Sequence, residues 1–184
     1  MKKLKTDRLI LREWKKSDLD DFYEYCSVPG VGEMAGWPHH IDKEESMGIL
    51  QSFIDSKTDI IYAIVLKESN KVIGSLGIHN GGMDPGFAAD VQKTMGFVLS
   101  KDYWGRGLVP EAAKAAIEYT FEKLKANVLW IAHFDENMQS MRVIQKLGFT
   151  FYGKGKNEAK LLNKTFTEKR YLMTKNDYKL LSER

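Results

Sequence analysis

The segment Trp104–Ala112, WGRGLVPEA, decides how the rest of the chain reads. Pro110 suits a first helical position, and Ala113, Ile117, Phe121 and Leu124 follow it as an apolar stripe at helical spacing. The pattern predicts a helix starting at Pro110 with Val109 as its N-cap. Valine accepts no hydrogen bond, so the first-turn amides lack the usual side-chain partner and are left to water or a ligand. Gly105 and Gly107 permit positive φ and close backbone approach, and Arg106 adds a positive charge beside the amides. Together these residues describe an anion cradle; the alternative is a glycine loop that is merely solvated. Two nucleotide motifs fail here. No GxxxxGK followed by Ser or Thr exists, and Pro110 stands where the third glycine of GxGxxG would allow close packing.

Working outward, TMGFVL (Thr94–Leu99) precedes this loop as a strand, and NVLWIAHF (Asn127–Phe134) follows the helix as another. A short helix from Met138 to Leu147 then ends at Gly148. IIYAIVL from Ile60 and KVIGSLGI from Lys71, separated by the polar turn KESN, predict a hairpin. The glycine-rich stretch His79–Asp90 delays the next strand and is long enough to cover a site. Toward the N-terminus, Arg8–Trp14 reads as a first strand. Ser17 with Asp20 resembles a capping box ahead of Leu19, Phe22, Tyr23 and Cys26, and Asp42 with Glu45 repeats it ahead of Met47, Leu50, Phe53 and Ile54. Two tail strands are placed at Lys160–Leu162 and Glu168–Met173. The order β α α β β β α β α β β is not the alternation of a doubly wound sheet. It predicts an α+β fold in αβα layers, with a mixed, mostly antiparallel sheet of about seven strands and helices on both faces. Without a repeat or a Pro/Gly/Ser linker, residues 1–184 read as one domain.

The chain has 184 residues, 43% of them hydrophobic and 29% charged, and no apolar run of about 18 residues that could span a bilayer. The start MKKLKTDRLILREW offers no apolar export segment, and the single cysteine, Cys26, cannot close an intramolecular disulfide. A cytoplasmic protein with Cys26 as a packed thiol and no metal site is expected. Twenty-eight Lys and Arg against 25 Asp and Glu give a net charge of +3, too small to demand DNA as a partner. The basic residues Lys154, Lys156, Lys160, Lys164, Lys169 and Arg170 could meet an anionic ligand or RNA, or form a solvated face.

With these segments in hand, the chain resembles the GNAT superfamily of N-acetyltransferases, most closely its RimJ/RimL-like, ribosomal-protein N-terminal acetyltransferase branch. The matching segments are TDRLILREW at Thr6, GWPHH at Gly36, VIGSLGI at Val72, MGFVLSKDYWGRGLVPEA at Met95 and NMQSMRVIQKLGF at Asn137. The resemblance implies acetyl-CoA as cofactor. Backbone groups of Phe97, Val98 and Leu99 would pair with its pantetheine arm, and Trp104, Gly105, Arg106, Gly107, Leu108 and Val109 would surround its pyrophosphate. Asn137 would hydrogen-bond the arm, with Ser140 near the sulfur. Trp37, His39 and His40 are expected to wall the acceptor side.

The chain departs from the family pattern at three positions. Val109 stands where glycine or alanine is usual and would tighten the pyrophosphate pocket. Ile144 stands where many relatives place a tyrosine acid, which moves that role to Ser140 or Tyr152. Thr94 replaces a glutamate base, leaving His79, His133 or a water chain. The implied reaction is attack of a neutral primary amine on the thioester. An α-amine, with pKa about 7.7–8.0, is partly neutral at pH 7, whereas lysine near 10.4 costs roughly 3 kcal/mol more to deprotonate. A protein N-terminus, possible on a ribosomal protein, is therefore the expected acceptor. A small-molecule amine (polyamine, amino acid, antibiotic) and a non-catalytic acyl-CoA-binding module are the alternatives, and a homodimer is compatible with either.

Overall fold

A computed structural model describes residues 1–86 and 91–183, so the end of the glycine-rich stretch, Phe87 to Asp90, lies outside the described residues. The strands are β1 (Leu4–Lys5), β2 (Leu9–Arg12), β3 (Ile60–Leu66), β4 (Lys71–Asn80), β5 (Gln92–Leu99), β6 (Val128–Phe134), β7 (Thr150–Ala159) and β8 (Lys164–Thr174). The helices are α1 (Leu19–Cys26), α2 (Lys43–Asp55), α3 (Leu108–Glu122), α4 (Met138–Lys146) and α5 (Lys175–Ser182). One eight-stranded sheet in the order β1-β2-β3-β4-β5-β6-β8-β7 runs through the molecule. Every neighbouring pair is antiparallel except β5 and β6.

The period of two along the central strands sorts most buried side chains into two cores, with a smaller cluster of Phe134, Ala159 and Phe166 beside them. Tyr62 and Ile64 of β3 join Leu9, Leu11, Ile73, Leu76, Met95, Leu129 and Ile131 beneath α3, which contributes Ala112, Ala113, Ala116, Ile117 and Phe121. Ala63 and Val65 face the other way, onto Trp14, Phe22, Tyr25, Cys26 and Leu50 from the α1–α2 side. Helices on both faces and a mixed, mostly antiparallel sheet agree with the expected α+β layering.

Several element boundaries differ from expectation. Among the described residues the sheet has eight strands, against an expectation of about seven. Two-residue β1, paired Leu4↔Leu11, is too short for any period to show. β7 carries two glycines and two lysines on a largely exposed edge, so no apolar run announces it. Lys160–Leu162 is a 3-10 turn rather than a strand, completed by Asn163 at φ 47° between β7 and β8. α5 was unforeseen, although Thr174 and Asp177 form a complete capping box at its start. At α1, Asp18 rather than Ser17 does the local work. Its carboxylate accepts from Lys15 N at 2.8 Å and pairs with Arg12 at 2.7 Å. At α2 the Asp42 cap forms as expected, accepting from Glu45 N at 2.8 Å, but Glu45 accepts from Ile41 N at 2.8 Å rather than closing the box on Asp42 N.

Candidate functional site

The site originates in the parallel pairing of β5 and β6. β5 and β6 share the register Gln92↔Val128, Lys93↔Leu129 and Thr94↔Trp130, and among the described residues no ladder pair joins them further on. Trp130 Nε1 donates to Gln92 Oε1 at 2.6 Å, tying the strands where they part. Beyond that point a cavity of about 940 Å³ opens, lined by Met95 to Leu99 of β5, Ile131 to Phe134 of β6 and the first residues of α3 and α4. The gap-facing main chain of β5 can accept an extended, amide-bearing arm as a ladder partner. Phe97, Val98 and Leu99 all line the gap, but the Leu99 carbonyl already accepts from Trp104 Nε1 at 2.9 Å.

The glycine loop turns the chain from β5 into α3. Gly105 and Gly107 stand at φ 75° and 73°, a left-handed conformation that disfavours any side chain. α3 starts at Leu108, and its N-cap is Gly107 rather than Val109. The left-handed glycine lets the helix begin two residues before the proline. Leu108 and Val109 turn their side chains into the core, at 3% and 6% exposure. The absence of a side-chain cap carries over to Gly107, so first-turn amides remain free for an anion. The Arg106 guanidinium does not line the cavity but lies 5.0 Å over the Tyr103 ring.

A different arginine holds the loop. Arg8 Nη1 donates to the Arg106 carbonyl at 2.9 Å, while its Nε and Nη2 both meet Glu111 Oε2 at 2.6 Å. Glu111 also accepts from Arg8 N at 2.8 Å and Thr6 Oγ1 at 2.5 Å. Burial alone would raise the Glu111 carboxyl, but these donors outweigh it and hold it below its ordinary value. The Thr6 and Arg8 segment is thereby locked to the first turn of α3.

Asn137 and Ser140 stand together at the start of α4 and line the cavity. Asn137 Oδ1 accepts from Ser140 N at 3.0 Å as the N-cap, and its Nδ2 donates to Met34 O at 3.2 Å. Ile144, one turn on, is fully buried, so nothing there reaches a ligand. His133 lines the cavity but is buried, contacting Tyr171 Oη at 3.2 Å and Phe134 O at 2.8 Å. His79 also lines it, with Nδ1 3.2 Å from Asp59. Thr94 spends its hydroxyl on the Gly81 carbonyl at 3.0 Å. Tyr152 is absent from the lining: its hydroxyl is engaged by Asp84, whose carboxylate raises the phenol's pKa, and its ring packs edge-on to Trp130.

The expected acceptor wall is different from the one found. Trp37 and His40 pack with tilted rings 5.1 Å apart over the α1–α2 core, with His40 Nδ1 2.7 Å from Ser46 Oγ, and His39 pairs with Glu33 at 2.8 Å. None of the three lines the cavity; Val31, Met34 and Ala35 of the same loop do. The basic tail is partly spent in ion pairs, Lys169 on Asp135 at 2.6 Å at the surface and Arg170 on buried Glu168 at 2.7 Å. Cys26 is buried, which pushes its thiol well up and away from nucleophilic use. Sequence reasoning missed Glu168 and Asn157, which line the cavity from β8 and β7. The signal was a glutamate in phase with Phe166 on an alternating strand.

The comparisons agree with this geometry. Residues 8–150 match the family model described as an acetyltransferase (GNAT) domain. The Bacillus licheniformis protein named "Uncharacterized N-acetyltransferase p20" is 28% identical over 152 residues, 81% of this chain and 83% of its own. The spermidine N(1)-acetyltransferase of Escherichia coli K12 is 36% identical over 56 residues, 30% of each chain. A GNAT-family acetyltransferase from Bacillus anthracis superposes with a TM-score of 0.82 at 22% identity, covering 95% of this chain and 99% of its own. The ribosomal-protein-S5-alanine acetyltransferase of Vibrio fischeri gives 0.72 at 18% identity over 97% and 99%. The microcin C7 self-immunity acetyltransferase MccE, in complex with acetyl-CoA and AMP, gives 0.74 at 20% identity over 91% and 93%. No helix among the described residues is long and apolar enough to cross a membrane. A splayed parallel strand pair beside an uncapped glycine-led helix suits an anionic cofactor with an amide-bearing arm, and with the family match it follows that the chain belongs to the GNAT family as an acetyl-CoA-dependent N-acetyltransferase.

Proposed function

We propose that the enzyme acetylates the α-amine of a peptide or protein N-terminus, in the manner of the RimJ/RimL-like branch, by direct attack of the neutral amine. One observation carries this reading: Thr94, at the point where β5 and β6 part, has its hydroxyl committed to Gly81, so that strand presents no carboxylate base. An amine that is already partly neutral is the easier substrate. The V. fischeri enzyme of the same fold is named for a ribosomal-protein acceptor, which is compatible with this assignment.

In this reading acetyl-CoA supplies an activated acetyl group. The main chain of Phe97, Val98 and Leu99 would hold its arm, and the loop from Trp104 to Val109 would take its pyrophosphate through backbone amides. Ser140 would donate a hydrogen bond to the departing sulfur, Asn137 would fix the start of α4 and contact the arm, and His79 would take up the amine proton through water, because both ring nitrogens of His133 are already engaged, on the Phe134 carbonyl and Tyr171 Oη. Tyr152 takes no part.

The short match to a spermidine acetyltransferase favours a second reading, a polyamine acceptor. Thiol release from acetyl-CoA, measured with α-amine peptides, spermidine, free amino acids and lysine side-chain peptides, separates them. The α-amine reading expects the highest kcat/KM for the peptides with a free N-terminus; spermidine turning over faster than any of them would replace it.

A further inference from the structure

The cavity holds one buried carboxylate that the cofactor does not explain. Glu168 of β8 is 6% exposed and lines the cavity beside its cross-strand neighbour Phe134 and beside Asn157. Its two oxygens each carry one hydrogen bond, from Arg170 Nε at 2.7 Å and from Asn157 Nδ2 at 3.2 Å. A carboxylate offers about four acceptor positions, so each oxygen keeps capacity for another donor. The arrangement is built. Arg170 lies across Gly155, where a Cβ would come within 2.4 Å of its Cζ, and reaches the Met83 carbonyl at 3.5 Å. Charge along the cavity is also sorted. The basic lining residues, Arg142 and Lys146, both sit on α4, whereas Glu136 and Glu168 sit just past β6 and on β8. An anionic cofactor is drawn to the α4 side and a cation to the β8 side. Apolar Phe134 and Phe166, stacked at 4.1 Å, lower the local dielectric and strengthen an ion pair there.

We propose that Glu168 is the recognition carboxylate for the acceptor, receiving its ammonium group, with Asn157 holding the carboxylate toward the cavity and Arg170 competing with the acceptor for its charge. This rests on the reading that the acceptor is a peptide α-amine, and it makes the β6–β8–β7 wall the acceptor subsite. Phe134 and Asn157 shape the space next to that charge. Deprotonation follows docking, so Glu168 governs acceptor binding rather than cofactor binding.

The test titrates the tripeptide amide Ala-Gly-Ser, and its N-acetylated counterpart, into the full-length protein saturated with CoA at pH 6.5. The free amine is expected to bind at least tenfold more tightly than the acetylated peptide. Glu168→Gln is expected to reduce that ratio to within twofold while CoA affinity stays within twofold, and Glu168→Asp to restore part of it. Arg170→Gln, which removes the competing cation, is expected to increase the ratio and serves if Glu168→Gln does not fold. A ratio near one in the wild type, a ratio unchanged in Glu168→Gln, a parallel fall in CoA affinity, or a ratio not raised by Arg170→Gln overturns the assignment. The underlying reading fails separately, if wild-type protein releases no thiol with any α-amine peptide.

Discussion

Arg8 and Glu111, 103 residues apart in sequence, lie side by side, with Arg8 Nε and Nη2 both 2.6 Å from Glu111 Oε2 and Arg8 Nη1 reaching on to the Arg106 carbonyl at 2.9 Å. Binding the carbonyl of the Arg106–Gly107 peptide orients its trans plane and so fixes where the Gly107 amide points. Hydrogen bonds to charged groups contribute about 1.5–3 kcal/mol. Arg8→Gln is expected to raise KM for acetyl-CoA about tenfold or more with KM for the amine unchanged, read from initial rates. Equal shifts in both would reduce the pair to general scaffolding.

Gly107 tests the loop conformation directly. A Cβ there meets only Arg8 Nη2 at 3.8 Å, so there is room, yet φ is 73°. A left-handed L-residue costs roughly 1–2 kcal/mol. Gly107→Ala is expected to lower Tm by a few degrees and weaken acetyl-CoA binding severalfold by calorimetry. Unchanged affinity would show that the loop backbone does not set the cofactor site.

Asn137 and Ser140 separate by kind of effect. Asn137→Ala removes the α4 cap and the bond to Met34 O, a loss of about 1 kcal/mol in denaturant unfolding. Ser140→Ala keeps the capped amide but removes the hydroxyl, and kcat is expected to fall about tenfold or more with stability nearly unchanged. Wild-type kcat in Ser140→Ala would take the hydroxyl out of the reaction.

Glu33 makes the cavity wall acid-sensitive. Burial raises its carboxyl, but hydrogen bonds from the His39 ring and from its own, the His39 and the Gly30 amides outweigh that and bring it down to about 2, from an ordinary 4.5. With the folded value below the unfolded one, the unfolded chain binds the extra proton. The stabilisation is complete above about pH 4.5 and disappears as pH falls toward 2. Thermal melts between pH 6 and 2.5 should show a slope that Glu33→Gln flattens; identical slopes would mean the loop carrying Met34 and Ala35 is held by other contacts.

The fold was legible wherever burial imposes a period. The β3–β4 hairpin, the α3 stripe and the β6 run fell within a residue or two of their places, because each packs a continuous apolar face. β7 was not legible, since an exposed edge strand of lysines and glycines obeys no burial pattern, and β1 was too short to carry one. At the site, local chemistry was readable and distant contacts were not. Gly105 and Gly107 declared their positive φ, and Asn137 declared its cap. Arg106 is expected at the pyrophosphate from its place beside the glycines and from the family resemblance; its guanidinium lies over Tyr103, and Arg8, just ahead of β2, reaches the loop instead. Tyr152 looked available in sequence because nothing near it predicts Asp84 as its partner.

A single peptide bearing a free α-amine and one internal lysine tests the central claim most directly, by mapping the acetyl group with mass spectrometry after incubation with enzyme and acetyl-CoA at pH 7.5. Acetyl on the α-amine, with lysine modified at less than about a hundredth of that rate as roughly 3 kcal/mol of deprotonation cost implies, is the expected result. Acetyl placed on the lysine side chain, or divided evenly between the two amines, would contradict it.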